Sequence, residues 1–226
     1  MKEKTTEKRW RGRAILVCAL AAAVMLPTAL RAQETWPMGT GIGLFGGYAQ
    51  PANEGYGGAV AYGFNLSFVV MKNLAVEVTG FRFESAVDGS VPGLSKGKLA
   101  VMPVQLSLQG RFPMSGGRLV PFVEAGAGYY LDTFTLDEAL AADFNAVGLK
   151  ADESVDNVVG FHFGAGLDFF VARNIALGAG VKYCIATAKG SWSLTDTTSG
   201  TAVNGDLDDL KVGPLAFGVR LRFIFK

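Results

Sequence analysis

The sequence predicts an all-β fold, an eight-stranded antiparallel up-and-down β-barrel that spans a membrane, and three observations carry this expectation. Eight segments alternate apolar residues with small or polar ones at period two. Each approaches or exceeds the roughly 9–11 residues that cross a bilayer at a tilt of about 45°, more than the usual strand of about 5–6. The connections between them are mostly short and long by turns, as in a barrel with tight turns at one end and loops at the other.

Composition narrows the function classes. The 226 residues are 50% hydrophobic and 18% charged with a net charge of +1, which suits a folded chain and gives no basic field for nucleic acid. One histidine and two cysteines rule out a His/Cys zinc cluster or a disulfide framework, and no cofactor is expected.

The first 32 residues read as a cleaved signal peptide, and residues 33–226 as the barrel domain. Lys2, Lys4, Lys8, Arg9, Arg11 and Arg13 outnumber Glu3 and Glu7, and Ala14 to Leu26 carries no charge. That apolar run is too short to span about 30 Å of hydrocarbon at about 1.5 Å per residue, and Pro27 leads to a small residue, Ala32, where cleavage is expected. Cys18 follows Leu16 and Val17 rather than a small residue, so no lipid is expected on it. Seven of the 21 basic and two of the 20 acidic residues lie in 1–32, which leaves 14 against 18 and a mature charge of −4. Cys184 remains alone, as a small wall residue.

The strands follow in order at 40–49, 57–70, 74–84, 97–112, 119–134, 157–170, 175–188 and 210–225. The first contains Gly41-Ile42-Gly43-Leu44-Phe45-Gly46, a dinucleotide-binding spacing without its βαβ setting, and reads instead as a small-residue strand. In the second, Val60, Tyr62, Phe64, Leu66, Phe68 and Val70 oppose Ala61, Gly63, Asn65 and Ser67. The third changes character after Val78, where Gly80 and Arg82 meet the apolar phase and Phe81 and Phe83 the other, so a bulge or kink near Gly80 is expected. Ala100, Met102, Val104, Leu106 and Leu108 then oppose Gln105, Ser107, Gln109 and Arg111. The fifth segment holds Glu124 and Tyr129. Phe161, Phe163, Leu167 and Phe169 oppose His162 and Asp168, and Leu177, Val181 and Tyr183 oppose Lys182. Phe217, Val219, Leu221, Phe223 and Phe225 oppose Gly218, Arg220 and Arg222. Pro103 and Pro121 lack an amide donor and are expected at bulges or strand ends.

Short connections at 71–73, 113–118 and 171–174 are read as periplasmic turns. Those at 50–56, 85–96, 135–156 and 189–209, mostly longer, are read as extracellular loops. The long set is acidic, through Asp137, Glu138, Asp143, Asp152, Glu153 and Asp156 in one loop and Asp196, Asp206, Asp208 and Asp209 in another. A solvated surface accounts for this, with divalent-cation bridging to anionic lipopolysaccharide as the functional reading. Thr135-x-x-Glu138 has capping-box spacing, and Leu136, Leu140 and Phe144 recur every four residues, so a short helix over the barrel mouth is expected.

A soluble eight-stranded barrel of the lipocalin type is the competing architecture. It would need a polar exterior, whereas the less apolar face here is mainly Gly, Ala, Ser and Asn, which suits a narrow interior. Tyr62, Tyr129, Tyr183, Phe169, Phe223 and Phe225 on the apolar face suit the aromatic girdles of a membrane barrel. The interior then receives Glu77, Gln105, Gln109, Arg111, Glu124, His162, Asp168, Lys182, Arg220 and Arg222. Ionised groups in so narrow a space are costly unless paired, so Arg220 and Arg222 are expected to pair across the barrel with Glu77, Glu124 or Asp168. Eight strands leave room for such side chains and hardly for a water channel. His162 has Phe161 and Phe163 as neighbours and no serine near it in sequence, so a hydrolytic pair is not expected.

These residues carry a resemblance. The segments 121–130, PFVEAGAGYY, 160–169, GFHFGAGLDF, with Arg173-Asn174 and Leu177 after it, and 218–225, GVRLRFIF, resemble the small outer-membrane β-barrel proteins of Gram-negative bacteria, the porin-like group that includes the OmpA barrel and OmpW-type barrels. The resemblance covers essentially all of residues 33–226, with no segment left for the peptidoglycan-binding domain that OmpA-type proteins append. It implies a place in the cell outer membrane after export through the inner membrane, among outer-membrane lipid and lipopolysaccharide. It also implies handling by periplasmic chaperones and the barrel-assembly machinery, whose insertion signal is similar to Gly218, Leu221, Phe223 and Phe225, with Lys226 one residue beyond. A monomer is expected. The reading of function is a non-enzymatic integral barrel with a plugged polar lumen and an envelope-structural or surface-interaction role. The alternative is a small transporter of ions or hydrophobic solutes, and a lipid-modifying enzyme comes third.

Overall fold

A computed structural model of the chain describes residues 39–52, 54–91 and 94–225. The expected signal peptide and its cleavage point lie outside them. In chain order the elements are β1 (Thr40–Pro51), β2 (Ala59–Met71), β3 (Leu74–Val87), β4 (Gly97–Arg111), β5 (Leu119–Leu136), α1 (Glu138–Ala146), β6 (Leu149–Val155), β7 (Val158–Ala172), β8 (Ile175–Ile185), β9 (Thr187–Asp196), β10 (Ala202–Lys211) and β11 (Pro214–Phe225). Eight of these strands close a barrel in the order β1-β11-β8-β7-β5-β4-β3-β2, and every neighbouring pair is antiparallel. Closure pairs every strand edge, the condition for placing a sheet in hydrocarbon.

The alternation read from the sequence sorts the side chains. Val60, Tyr62, Phe64 and Phe68 on β2, Val104, Leu106 and Leu108 on β4, Phe161, Phe163 and Phe169 on β7, and Phe217, Val219, Phe223 and Phe225 on β11 are exposed on the outer wall. Large apolar side chains on an exterior mark a surface solvated by lipid rather than water. The third strand departs from expectation. β3 keeps one register with β2 from Ala61↔Phe83 to Val69↔Ala75, without a bulge at Gly80. Its phase never breaks; the chemistry of its faces changes instead. Phe81 and Phe83 point inward into an apolar upper core, and Arg82 and Glu84 are exposed on the outer wall. Pro103 likewise sits inside β4 without a register shift, while Pro121 lies at the start of β5.

The larger departure is above the barrel. The two longest connections contain a three-stranded antiparallel sheet in the order β10-β9-β6. β9 and β10 prolong β8 and β11 upward, joined through Ala186, whose carbonyl accepts from the amides of Val212 and Gly213 at 3.0 and 3.2 Å. The expected helix is α1, but Asp137 caps it, not Thr135: Asp137 Oδ1 accepts from the amides of Ala139 and Leu140 at 3.2 and 3.3 Å. Thr135 is still part of β5, whose pairing with Lys98 keeps it extended.

Candidate functional site

The barrel interior is built in three tiers. At the end of the short turns, Val120, Phe170, Ala176 and Ile224 form an apolar floor. At the loop end, Phe81, Phe83, Leu99, Val101 and Tyr130 from the wall pack with Val91 and Leu94 of the β3–β4 loop and Leu207 and Leu210 of β10. Between these two apolar layers lies a band of charge. The structure places all the lumen residues read from the sequence inward, Glu77, Gln105, Gln109, Arg111, Glu124, His162, Asp168 and Arg222 buried and Lys182 and Arg220 nearly so.

Two ion clusters occupy the band. In the first, Arg222 donates from Nη2 to Glu77 Oε2 at 2.6 Å and from Nη1 to Asp168 Oδ2 at 3.1 Å. Arg220 donates from Nε to Asp168 Oδ1 at 2.9 Å, lies 3.5 Å from Glu77 Oε1, and stacks its guanidinium 4.1 Å from the Phe122 ring centre. Arg111 Nη2 is 3.7 Å from Asp168 Oδ2. In the second, Lys182 Nζ lies 3.0 Å from both Glu124 Oε1 and Gln105 Oε1. Gln109 Nε2 reaches Glu124 at 3.0 Å and Glu77 at 3.4 Å, tying the clusters together. Thus Arg220 and Arg222 hydrogen-bond or pair closely with Glu77 and Asp168, while Glu124 takes Lys182. Buried charges held by charge-assisted hydrogen bonds are the arrangement in which burial is tolerated.

Glycine positions these pairs. Asp168 on β7 and Arg220 on β11 sit two strands apart, both in register with Gly178 of β8 between them. A Cβ on Gly178 would come within 2.5 Å of Asp168 Oδ1 and 2.7 Å of Arg220 Cγ, so the pair meets across a position that must be bare. Glu124 and Lys182 flank Gly164 in the same way, and a Cβ there would meet Glu124 Oε1 at 3.1 Å. Ser107 and His162 flank Gly126.

That last row supplies the serine that neither sequence flank of His162 offers. Ser107 Oγ is 2.7 Å from His162 Nε2, reached across Gly126 from two strands away. The register is the signal that could have found it, since adjacency in sequence could not. Both side chains are almost fully buried, and His162 Nδ1 has no hydrogen-bond partner among the described residues, so no carboxylate orients the imidazole. Cys184 also faces inward rather than forming plain wall, and accepts from Gln105 Nε2 at 3.4 Å.

The band leaves a cavity of about 60 Å³, lined by Phe45, Phe81 and Phe122 together with Glu124, Lys182, Arg220 and others. At about 10–15 Å³ per water this holds about four waters. Among the described residues no three His, Cys, Asp or Glu side chains gather as metal ligands would. Gly218 faces the lumen, while Leu221, Phe223 and Phe225 lie on the outer face of β11.

Outside the bilayer, the β3–β4 loop is fastened to the upper sheet. Ser95 donates to Glu153 from its amide at 3.0 Å and from its hydroxyl, and Asp137 donates from its amide to Lys96 at 3.0 Å. Two carboxylates shape the loop turns. Hydrogen bonds from the Ser90 hydroxyl and amide hold Asp88 below the ordinary carboxylate value of 3.8. The amides of Ser199 and Thr198 do the same for Asp196.

The comparisons with known proteins agree with this architecture. Among solved structures, OprG of Pseudomonas aeruginosa matches at a TM-score of 0.59 and 18% identity over 85% of this chain and 99% of its own. Neisserial surface protein A matches at 0.53 and 12% over 82% and 96%. AlkL, solved in lipid bilayers, matches at 0.50 and 20% over 86% and 93%. No curated protein matches the chain in sequence. A family model described as the outer membrane protein beta-barrel domain matches residues 14–223. With a closed eight-stranded barrel and a match across nearly its whole length, the chain belongs to the outer-membrane β-barrel domain family.

Proposed function

We propose that this chain is a non-enzymatic integral barrel of the outer membrane, with a sealed polar lumen, acting in envelope structure and surface interaction through the sheet it raises above the bilayer. The observation that carries this reading is the tiered interior: an ion-paired band closed below by Val120, Phe170, Ala176 and Ile224 and above by the packed core around Phe83, Leu94 and Leu210. A conducting path would have to break both layers. The cavity between them is far below the roughly 300–1,000 Å³ of ordinary ligand pockets. The Ser107–His162 pair supports hydrogen bonding within the wall rather than hydrolysis, because no substrate reaches it. Residues 1–32 serve as the export signal in this reading, Gly218, Leu221, Phe223 and Phe225 as the insertion signal, and lipid and lipopolysaccharide as the surroundings.

Liposome swelling tests the sealed lumen, and loop deletion tests the surface role. Vesicles carrying the protein are expected to swell in small sugars and amino acids no faster than empty ones. Deleting 138–147, the α1 segment, is expected to leave heat-modifiable migration intact and alter cell-surface attachment. Solute uptake that falls in both Arg220→Ala and Glu124→Ala would instead favour transport through the lumen.

A further inference from the structure

The outer wall of the barrel carries charge in one place. Among the described residues, the outward positions of β1, β2, β5, β7, β8 and β11 hold no Asp, Glu, Lys or Arg, whereas β3 presents Arg82 and Glu84 and β4 presents Lys98. These three form one patch. Glu84 Oε2 lies 3.8 Å from Arg82 Nη2 and Glu84 Oε1 lies 3.6 Å from Lys98 Nζ, with side-chain exposures of 47%, 50% and 69%. Both separations exceed hydrogen-bond length, and Glu84 is the only polar partner of either cation among the described residues. The patch therefore carries a net charge of +1 and keeps N–H donors open.

Its height matters as much as its charge. Arg82 lies eight residues along β3 from Leu74, about 19 Å up a tilted strand beside an apolar belt about 25 Å tall. It is paired in register with Tyr62, an exposed aromatic of the kind that marks the interface. Lys98 is level with Ala86, a few residues higher. A long basic side chain at this depth extends toward the headgroups, and the end concerned is that of the long loops. A cation on a lipid-facing wall is costly without an anion to meet it.

We infer that Arg82 and Lys98 form a phosphate-binding site on the lipid-facing wall, and that its occupant is a phosphate of the lipid A part of lipopolysaccharide in the outer leaflet. This rests on reading the long-loop end as the cell exterior. Glu84 holds the two cations apart and oriented, and the phosphate bridges their free N–H groups above it. The site is independent of the lumen, so a leaky barrel would leave it standing and a sealed one does not establish it.

The test is native mass spectrometry of the folded protein, extracted from an expressing host's outer membrane and stripped of lipid, titrated with bisphosphorylated lipid A, dephosphorylated lipid A and phosphatidylglycerol. Arg82→Ala/Lys98→Ala is expected to weaken binding of bisphosphorylated lipid A by about 25-fold, roughly fivefold per basic residue near an anionic surface, and to leave dephosphorylated lipid A unaffected. Glu84→Gln is expected to tighten it several-fold, and Arg82→Lys/Lys98→Arg to retain it. Unchanged heat-modifiable migration in each variant ties the effect to the site. Equal binding by wild type and the double alanine variant would overturn the inference. Equal binding of phosphatidylglycerol and lipid A by wild type would overturn the choice of occupant.

Discussion

Asp168 is the residue on which most of the lumen charge converges, since Arg111, Arg220 and Arg222 all approach it. Asp168→Asn removes the carboxylate that Arg111, Arg220 and Arg222 share, while Glu77 remains beside Arg220 and Arg222. Breaking a buried pair on one side costs about 3–5 kcal/mol, a loss that urea unfolding in lipid vesicles would register. Gly178→Ala is expected to cost about 1–3 kcal/mol by overpacking, because its Cβ falls where Asp168 and Arg220 meet. Gly46→Ala, with nothing within 4 Å of its Cβ, is expected to change stability by less than about 0.5 kcal/mol. Which residues face the lumen was legible in the sequence, because period two separates Phe161 from His162 and Phe223 from Arg222 without further information. Which of them pair was not. Pairing depends on register, and Arg220 beside Asp168, Lys182 beside Glu124 and Ser107 beside His162 each come from two strands away behind a glycine.

At the scale of elements, the barrel strands were readable and the raised sheet was not, for one physical reason. A strand between lipid and lumen has two unlike faces, while β6, with the sequence LKADESV, and β10, with AVNGDLDDLK, face water on much of both sides and lose that contrast. The third strand misled differently. Its outer face turns polar above Gly80, where the strand nears the headgroup level, and its inner face turns aromatic where Phe81 and Phe83 join the apolar core at the loop end. The loop plug depends on Glu153. Glu153→Ala is expected to remove both hydrogen bonds to Ser95 and speed amide exchange at Ser95 and Lys96 roughly 5- to 100-fold, with the barrel amides unchanged. Acid acts on the turns. Asp88 and Asp196 titrate below the ordinary carboxylate value, so the order they impose is present above pH 3.8 and lost as pH falls through their lowered folded values. The amide resonances of Ser90, Thr198 and Ser199 are expected to move in that window.

For the molecule as a whole, the exterior is made for lipid and the interior for itself, and on the proposed function the upper sheet serves what lies outside the cell. A barrel of this strand number encloses little more than its own side chains, and here, among the described residues, the charged ones pair in a band between two apolar clusters. The claim that the lumen is sealed is tested most directly by single-channel recording of the folded protein in a planar bilayer, beside Asp168→Asn. The wild type is expected to show no discrete conductance, with any steps confined to the variant whose ion band is broken. Regular conductance steps from the wild-type barrel would contradict the account.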